Sequence, residues 1–235
     1  MHAPNVEAVL RIDLFLKNVP FLWRYAEHFQ PRFPGSEQYW DRRYAEGGNS
    51  GAGSYGELAN FKANFLNAFV LKNGITSVVE LGCGDGNQLS LASYPRYVGL
   101  DVSRAVLQRT ICRFRNDDTK SFFLYDGTCF ADRQRMFRSD LGLSLDVIYH
   151  LIEDAVFERY MTHLFGMANK YVIIYSSNHD EILPNAHVRH RQFTAHVKKE
   201  FLEWAMIELV KNQFPMAEVG EEKGSFVDFF VFERK

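Results

Sequence analysis

"SVVELGCGDGNQ", Ser77–Gln88, sets a β-branched run directly against a turn with glycines at 82, 84 and 86. Such a run suits a strand buried on both faces, and the glycines let the backbone approach a ligand closely. A helix is expected to open within the turn. Two carboxylates, Glu80 and Asp85, flank it. Beside a pyrophosphate they would repel the ligand; beside a cation they attract it.

Working outward, short apolar runs alternate with helical stretches. "SVVELG" (77–82), "YVGLDV" (97–102), "SFFLYDG" (121–127), "LSLDVIYH" (143–150) and "YVIIYSS" (171–177) read as strands, and 225–233 as a final one. "NQLSLAS" and "SRAVLQRTICRF" read as helices. So does a segment behind Asp154 with Phe157, Tyr160, Met161, Leu164 and Phe165 on one face. "TAHVKKEFLEWAM" is read as a further helix. This alternation predicts an α/β, doubly wound, mostly parallel sheet with helices on both faces. Ligands then sit beyond the carboxyl ends of the strands.

Another glycine pattern, Gly51-Ala52-Gly53-Ser54-Tyr55-Gly56, spells the dinucleotide fingerprint. No strand precedes it, so it lacks the βαβ setting that fingerprint needs. Ser54 and Glu57 instead have capping-box spacing before the helix "ELANFKANFLNAFVLK", whose Leu58, Phe61, Phe65 and Phe69 form an apolar stripe. With Lys62 two turns on, that helix start is expected to attract an anion and to fold over the cleft as a lid.

Composition places the chain among ordinary globular proteins. Of 235 residues, 46% are hydrophobic and 24% charged, and the formal net charge is −2. That balance gives no electrostatic case for nucleic-acid binding. Cys83, Cys112 and Cys129 are odd in number and scattered, which suggests a reduced, cytoplasmic setting. "VEAVLRIDLFLKNVPFLW", interrupted by Arg11, Asp13 and Lys17, lacks the apolar run of a signal peptide or a span. It reads as an amphipathic helix broken at Pro20, a lid or brace on the domain or, alternatively, a segment that docks on a membrane surface.

Residues 75–178 resemble the class I S-adenosylmethionine-dependent methyltransferases. The first motif of that family matches Glu80, Gly82, Cys83, Gly84, Asp85 and Gly86. Its ribose-binding acid matches Asp101, 15 residues after Gly86, with Val102 beside the adenine. Its acid after strand three matches Asp126, followed by Gly127. Its fourth-strand histidine matches His150, while Tyr149 stands where an acid is usual. The resemblance implies a Rossmann-like seven-stranded sheet, S-adenosyl-L-methionine as cofactor and a methyltransferase activity. Residues 1–70 are expected to form a helical, glycine-rich lid on a core spanning 71–235, the whole being one domain.

Residues 40–56 also resemble a subgroup of these enzymes from bacterial surface-polysaccharide (capsule) biosynthesis, through Trp40, Arg43, Tyr44, Gly47, Gly48, Ser50, Gly51, Gly53, Ser54, Tyr55 and Gly56. That likeness implies O-methylation of a sugar, sugar nucleotide or phosphorylated precursor, with Arg43 and Tyr55 as further cofactor contacts. A hydroxyl acceptor needs a base, and His150, assisted by Tyr149, is the candidate. His179, His187, Arg189 and His190, within an acceptor stretch at 176–196, suit an anionic acceptor. His187 and His190 have metal-pair spacing, but no compact carboxylate set accompanies them in sequence, so no metal is expected. Two rivals remain. An NAD-dependent oxidoreductase is disfavoured by Glu80, Asp85 and an asparagine, Asn87, where a third glycine belongs. A non-catalytic subunit that only binds the cofactor is disfavoured by the presence of His150.

Overall fold

The structure is a computed structural model that describes residues 33–182, 187–219 and 224–235. The amphipathic helix expected near the N-terminus lies outside the described residues. Residues 35–235 cluster into one unit.

Two helices come first, α1 (Ser36–Ala45) and α2 (Gly56–Lys72). The remaining elements are β1 (Val78–Leu81), β2 (Tyr97–Asp101), α3 (Arg104–Arg113), β3 (Lys120–Leu124), β4 (Ser139–Leu145), α4 (Asp154–Met167), β5 (Ala168–Ser176), β6 (Glu181–Ile182), β7 (Arg189–His190), α5 (Phe193–Glu200), β8 (Trp204–Val210), α6 (Met216–Val219) and β9 (Asp228–Arg234). Seven strands form one sheet in the order β3-β2-β1-β4-β5-β9-β8. β1 to β5 run parallel, and β9 lies antiparallel to both β5 and β8. β6 and β7 pair separately as a small antiparallel ribbon.

Strand alternation builds a core on each face of the sheet. On one side Ile173 and Tyr175 pack with Phe61, Leu66 and Phe69 of α2. On the other, Val172 and Ile174 pack with Phe157, Met161 and Leu164 of α4. Because both faces are covered, β1 and β4 are buried along their whole length. The order reverses at β1, which lies between β2 and β4, so a crevice opens beyond the carboxyl ends of β1 and β4.

Four local expectations are corrected. Strand β4 ends at Leu145, not at His150, because Asp146 takes a left-handed φ of 59° and His150 falls on a short 3-10 turn. Aspartate tolerates that backbone better than most residues. The "NQLSLAS" helix shrinks to a 3-10 turn at Leu89–Leu91. The last helix stops at Glu200, and Trp204–Val210 is a strand instead. No capping box forms: α2 starts at Gly56 with Tyr55 as its N-cap and no side-chain cap bond. Ser54 closes a 3-10 turn, and its carbonyl accepts from the Asn87 amide at 2.8 Å.

Candidate functional site

Beyond β1 and β4 the chain forms a solvent-open cleft, lined from the turns after β1, β2 and β4. Gly82, Cys83 and Gly84 line it from the turn after β1. Gly82 (φ 82°) and Gly84 (φ 57°) both need left-handed backbone. The turn is also pinned from both sides. A Cβ on Gly84 would collide with Ser50 Oγ, and one on Gly82 would lie 2.6 Å from Val147 Cγ2.

Asp85 fastens the glycine-rich 50–55 segment to this turn. Its carboxylate accepts from Ser50 N (2.9 Å), the Tyr55 hydroxyl (2.8 Å) and Asn87 N (3.0 Å). Burial alone would raise its pKa, but these bonds outweigh burial and hold it below the usual carboxylate value. Asp85, Gly86 and Tyr55 therefore shape the turn from outside the cleft wall. Arg43 lies outside it too, with Nε bonded to the Asn49 carbonyl and its guanidinium over Trp40.

Two buried carboxylates do face the cleft. Asp101, at the end of β2, accepts from Gly84 N at 2.9 Å and Ser103 N at 3.0 Å. Burial pushes its pKa up to about 6 despite those bonds. Glu80, in β1, accepts the Tyr97 hydroxyl at 2.6 Å. Burial pushes it up to about 7, against the pull of Tyr97 and the Lys62 charge. Val102 and Gly127 also line the cleft. Asp126 does not. Its Oδ1 accepts from the Thr128 hydroxyl at 2.6 Å and Thr128 N at 2.8 Å, which hold its pKa down to about 2.

The acid that reaches the cleft near Gly127 is Glu37, on α1, with Trp40 one helical turn further along the same helix. Burial raises the Glu37 pKa, and the charge of Asp126 adds to it. Glu37 carries no motif of its own in the sequence, although an acid three residues before a tryptophan marks one helix face. Asp146, the acid directly after β4, falls inside the strand expected at 143–150. Asp146 pairs with Lys62 at 2.6 Å, and Lys62 is 1% exposed. Lys62 thus points into the cleft and is bound there, away from the start of α2 where an anion was expected.

His150 lines the cleft edge-on to Trp40, with ring centroids 4.8 Å apart. Its Nδ1 lies 2.9 Å from the His187 carbonyl. A carbonyl only accepts, so Nδ1 carries the hydrogen and Nε2 keeps its lone pair. Burial lowers the pKa to about 4, so the ring is neutral at pH 7. Tyr149 is turned away from the cleft wall, and its hydroxyl donates to Asp146 at 3.1 Å.

Among the described residues of the histidine–arginine stretch, none lines the cleft wall. Arg189 bonds the Ile152 carbonyl and pairs with Asp154, and Arg191 makes the same two contacts. Both arginines hold the start of α4. His187 stacks on Tyr39, His190 bonds Ser177, and His179 lies beside Glu181.

No family model matches the sequence. Among solved structures, the chain is similar to the N-methyltransferase NodS from Bradyrhizobium japonicum WM9 in complex with S-adenosyl-L-homocysteine, with a TM-score of 0.65, 16% identity, and coverage of 85% of this chain and 98% of that one. It is also similar to magnesium protoporphyrin IX methyltransferase (ChlM) from Synechocystis PCC 6803 with bound S-adenosylmethionine (TM-score 0.59, 14% identity, 85% and 97% covered). The methyltransferase domain of bacterial CtHen1-C gives a TM-score of 0.57 at 22% identity, with 74% and 96% covered. The chain therefore has the class I methyltransferase fold. A small RNA 2′-O-methyltransferase of Arabidopsis thaliana is 29% identical over 112 residues. That match takes in 43% of this chain and only 12% of the relative's length.

Proposed function

We propose that the chain is an S-adenosylmethionine-dependent methyltransferase that methylates a sugar hydroxyl. The observation that carries this reading is the pair of buried carboxylates, Glu80 and Asp101, around a pinned glycine turn. Burial raises the pKa of both, and a cation or a pair of hydroxyl donors bound beside them would favour their charged forms. S-adenosylmethionine brings an ammonium, a sulfonium and a ribose diol, whereas NAD brings ribose diols together with an anionic pyrophosphate that buried carboxylates repel. The cofactor would contribute an electrophilic methyl group. Glu80 would hold the ammonium, Asp101 the ribose hydroxyls, and Val102, Gly127 and Glu37 the base end. His150, with Nε2 free, would take the proton of an acceptor hydroxyl as the oxygen attacks, while Trp40 helps exclude water.

A sugar acceptor is supported by the resemblance of residues 40–56 to enzymes of surface-polysaccharide assembly. The phosphate element of that acceptor loses its support, because Arg189 and Arg191 are bound to Asp154. The relative named for small RNA 2′-O-methylation favours a second reading, a ribose hydroxyl of RNA. Both acceptors offer a sugar oxygen, so the same base serves either. Methyl incorporation into sugar nucleotides and into short RNAs, compared side by side, separates them.

S-adenosylhomocysteine is expected to raise the thermal midpoint while NAD leaves it unchanged; the reverse sinks the assignment. His150→Ala is expected to lower turnover about 10²-fold with cofactor affinity intact, and unchanged turnover would leave His150 a wall residue. Glu80 should also report on binding. With its pKa at about 7 in the free chain, holding an ammonium forces out the remaining proton. Titration calorimetry at pH 7 in buffers of different ionisation enthalpy should show fractional proton release, and Glu80→Gln should remove most of it.

A further inference from the structure

We propose that His179, Glu181 and His190 form a binding site for a divalent transition-metal ion, of which zinc is the best match. One ligand atom from each residue can be chosen so that all lie within 4.8 Å of one another. The sequence spacing hid this set, because Glu181 stands 9 residues from His190 along the chain but directly opposite it in the β6–β7 ribbon. His179 precedes Glu181 by two residues, the spacing that repeats one face of an extended chain, and its Nε2 lies 3.2 Å from the Glu181 carboxylate. The carboxylate missing from the sequence reading of His187 and His190 is therefore present, and His179 takes the place of His187.

The buried member of the set is already oriented. His190 is 5% exposed, and its Nδ1 lies 2.7 Å from the hydroxyl of Ser177, itself buried at the end of β5. With Nδ1–H donated to Ser177, Nε2 keeps its lone pair, the arrangement in which a second-layer partner fixes the tautomer of a metal-binding histidine. The His179 and His190 rings lie nearly parallel with centroids 4.5 Å apart. An ordinary surface ion pair needs only His179 and Glu181. It gives no reason for a third, buried, oriented imidazole at the same point. Two imidazoles and one carboxylate match the donor preference of zinc and leave a fourth position open, as in sites that bind water or a substrate oxygen.

The ion would clip both strands of the ribbon to the end of β5. His187, just before β7, supplies the carbonyl that holds His150, so the clip would also steady the cleft's histidine. The metal site itself does not depend on the proposed methyl transfer.

The test is direct binding to the chelator-stripped full chain, with ZnCl₂ followed by calorimetry and Co²⁺ followed by its visible absorption. One saturable equivalent is expected, with a raised thermal midpoint. His179→Ala and Glu181→Gln, both at exposed positions, should each abolish that equivalent at concentrations that saturate the native chain, with circular dichroism unchanged. Absence of saturable binding overturns the proposal. So does an equivalent that survives in both variants, since the ion would then sit elsewhere, for instance on Cys112 or Cys129.

Discussion

Lys62→Met is expected to lower the stability of the free chain by about 3–5 kcal/mol, because it leaves Asp146 charged and without its cation in a largely dry site. The partners are 2.6 Å apart, with side chains 1% and 11% exposed. Tyr149 donates to the second carboxylate oxygen, and Lys62 Nζ lies 5.3 Å over the ring of Tyr175. The pair is also covered: a Cβ on Gly53 would come within 2.8 Å of Asp146 Oδ2, so the glycine-rich segment lies directly on it. For a chain of this length each kcal/mol moves the midpoint by roughly 2–4 °C, so a fall of roughly 6–20 °C is expected in a thermal melt. The double variant Lys62→Met/Asp146→Leu should recover most of the loss, since removing both charges also removes the desolvation penalty. A single-variant loss below about 1 kcal/mol would mean that water reaches Asp146 and that the pair acts as an ordinary surface bridge.

That pair also shows where sequence reasoning stops. The central parallel strands were legible because strands covered on both faces are mostly apolar, as in "VVEL" and "VIIY". The turn after β1, Gly82–Gly86, could be placed because three glycines at alternate positions directly behind a strand have few other uses. Strand β8 was invisible for the opposite reason. It is an edge strand whose Met206, Ile207 and Leu209 are exposed, and Val197, Phe201 and Trp204 happen to keep a helical spacing. The end of β4 was missed because "DVIYH" is as β-branched and aromatic as a strand, and only the left-handed Asp146 breaks it. That five-residue error carried Tyr149 and His150 onto the strand, when both lie on the 3-10 turn beyond Asp146. Roles that depend on pairing were beyond reach altogether. Arg189 and Arg191 look like anion ligands in the sequence, and only Asp154 beside them shows otherwise.

Asp101→Ala should weaken S-adenosylhomocysteine binding about 10²-fold or more, since two hydrogen bonds to a charged acceptor are worth about 1.5–3 kcal/mol each. The same substitution releases Gly84 N, which Asp101 holds at 2.9 Å, so the glycine turn also loses a tether. Asp101→Asn separates the two effects. It keeps an acceptor for one partner but loses the charge, and an intermediate loss of affinity is expected. Acidity supplies an independent check. The Asp101 pKa, raised by burial from 3.8 to about 6, means that the free native chain holds this proton more tightly than the unfolded chain does. The group's contribution to stability is therefore full below about pH 4 and is lost as pH rises through about 6. A ribose diol selects the carboxylate, so cofactor binding pulls the other way and must weaken as pH falls through the same window. Glu80 titrates in the same sense but nearer pH 7, so calorimetry between pH 5 and 8 should show two successive losses of affinity. Asp101→Asn should remove the lower one and leave the upper. Affinity that stays level from pH 8 to pH 5 in the native chain would mean that neither carboxylate touches the cofactor, and the placement of the cofactor in this cleft would be wrong.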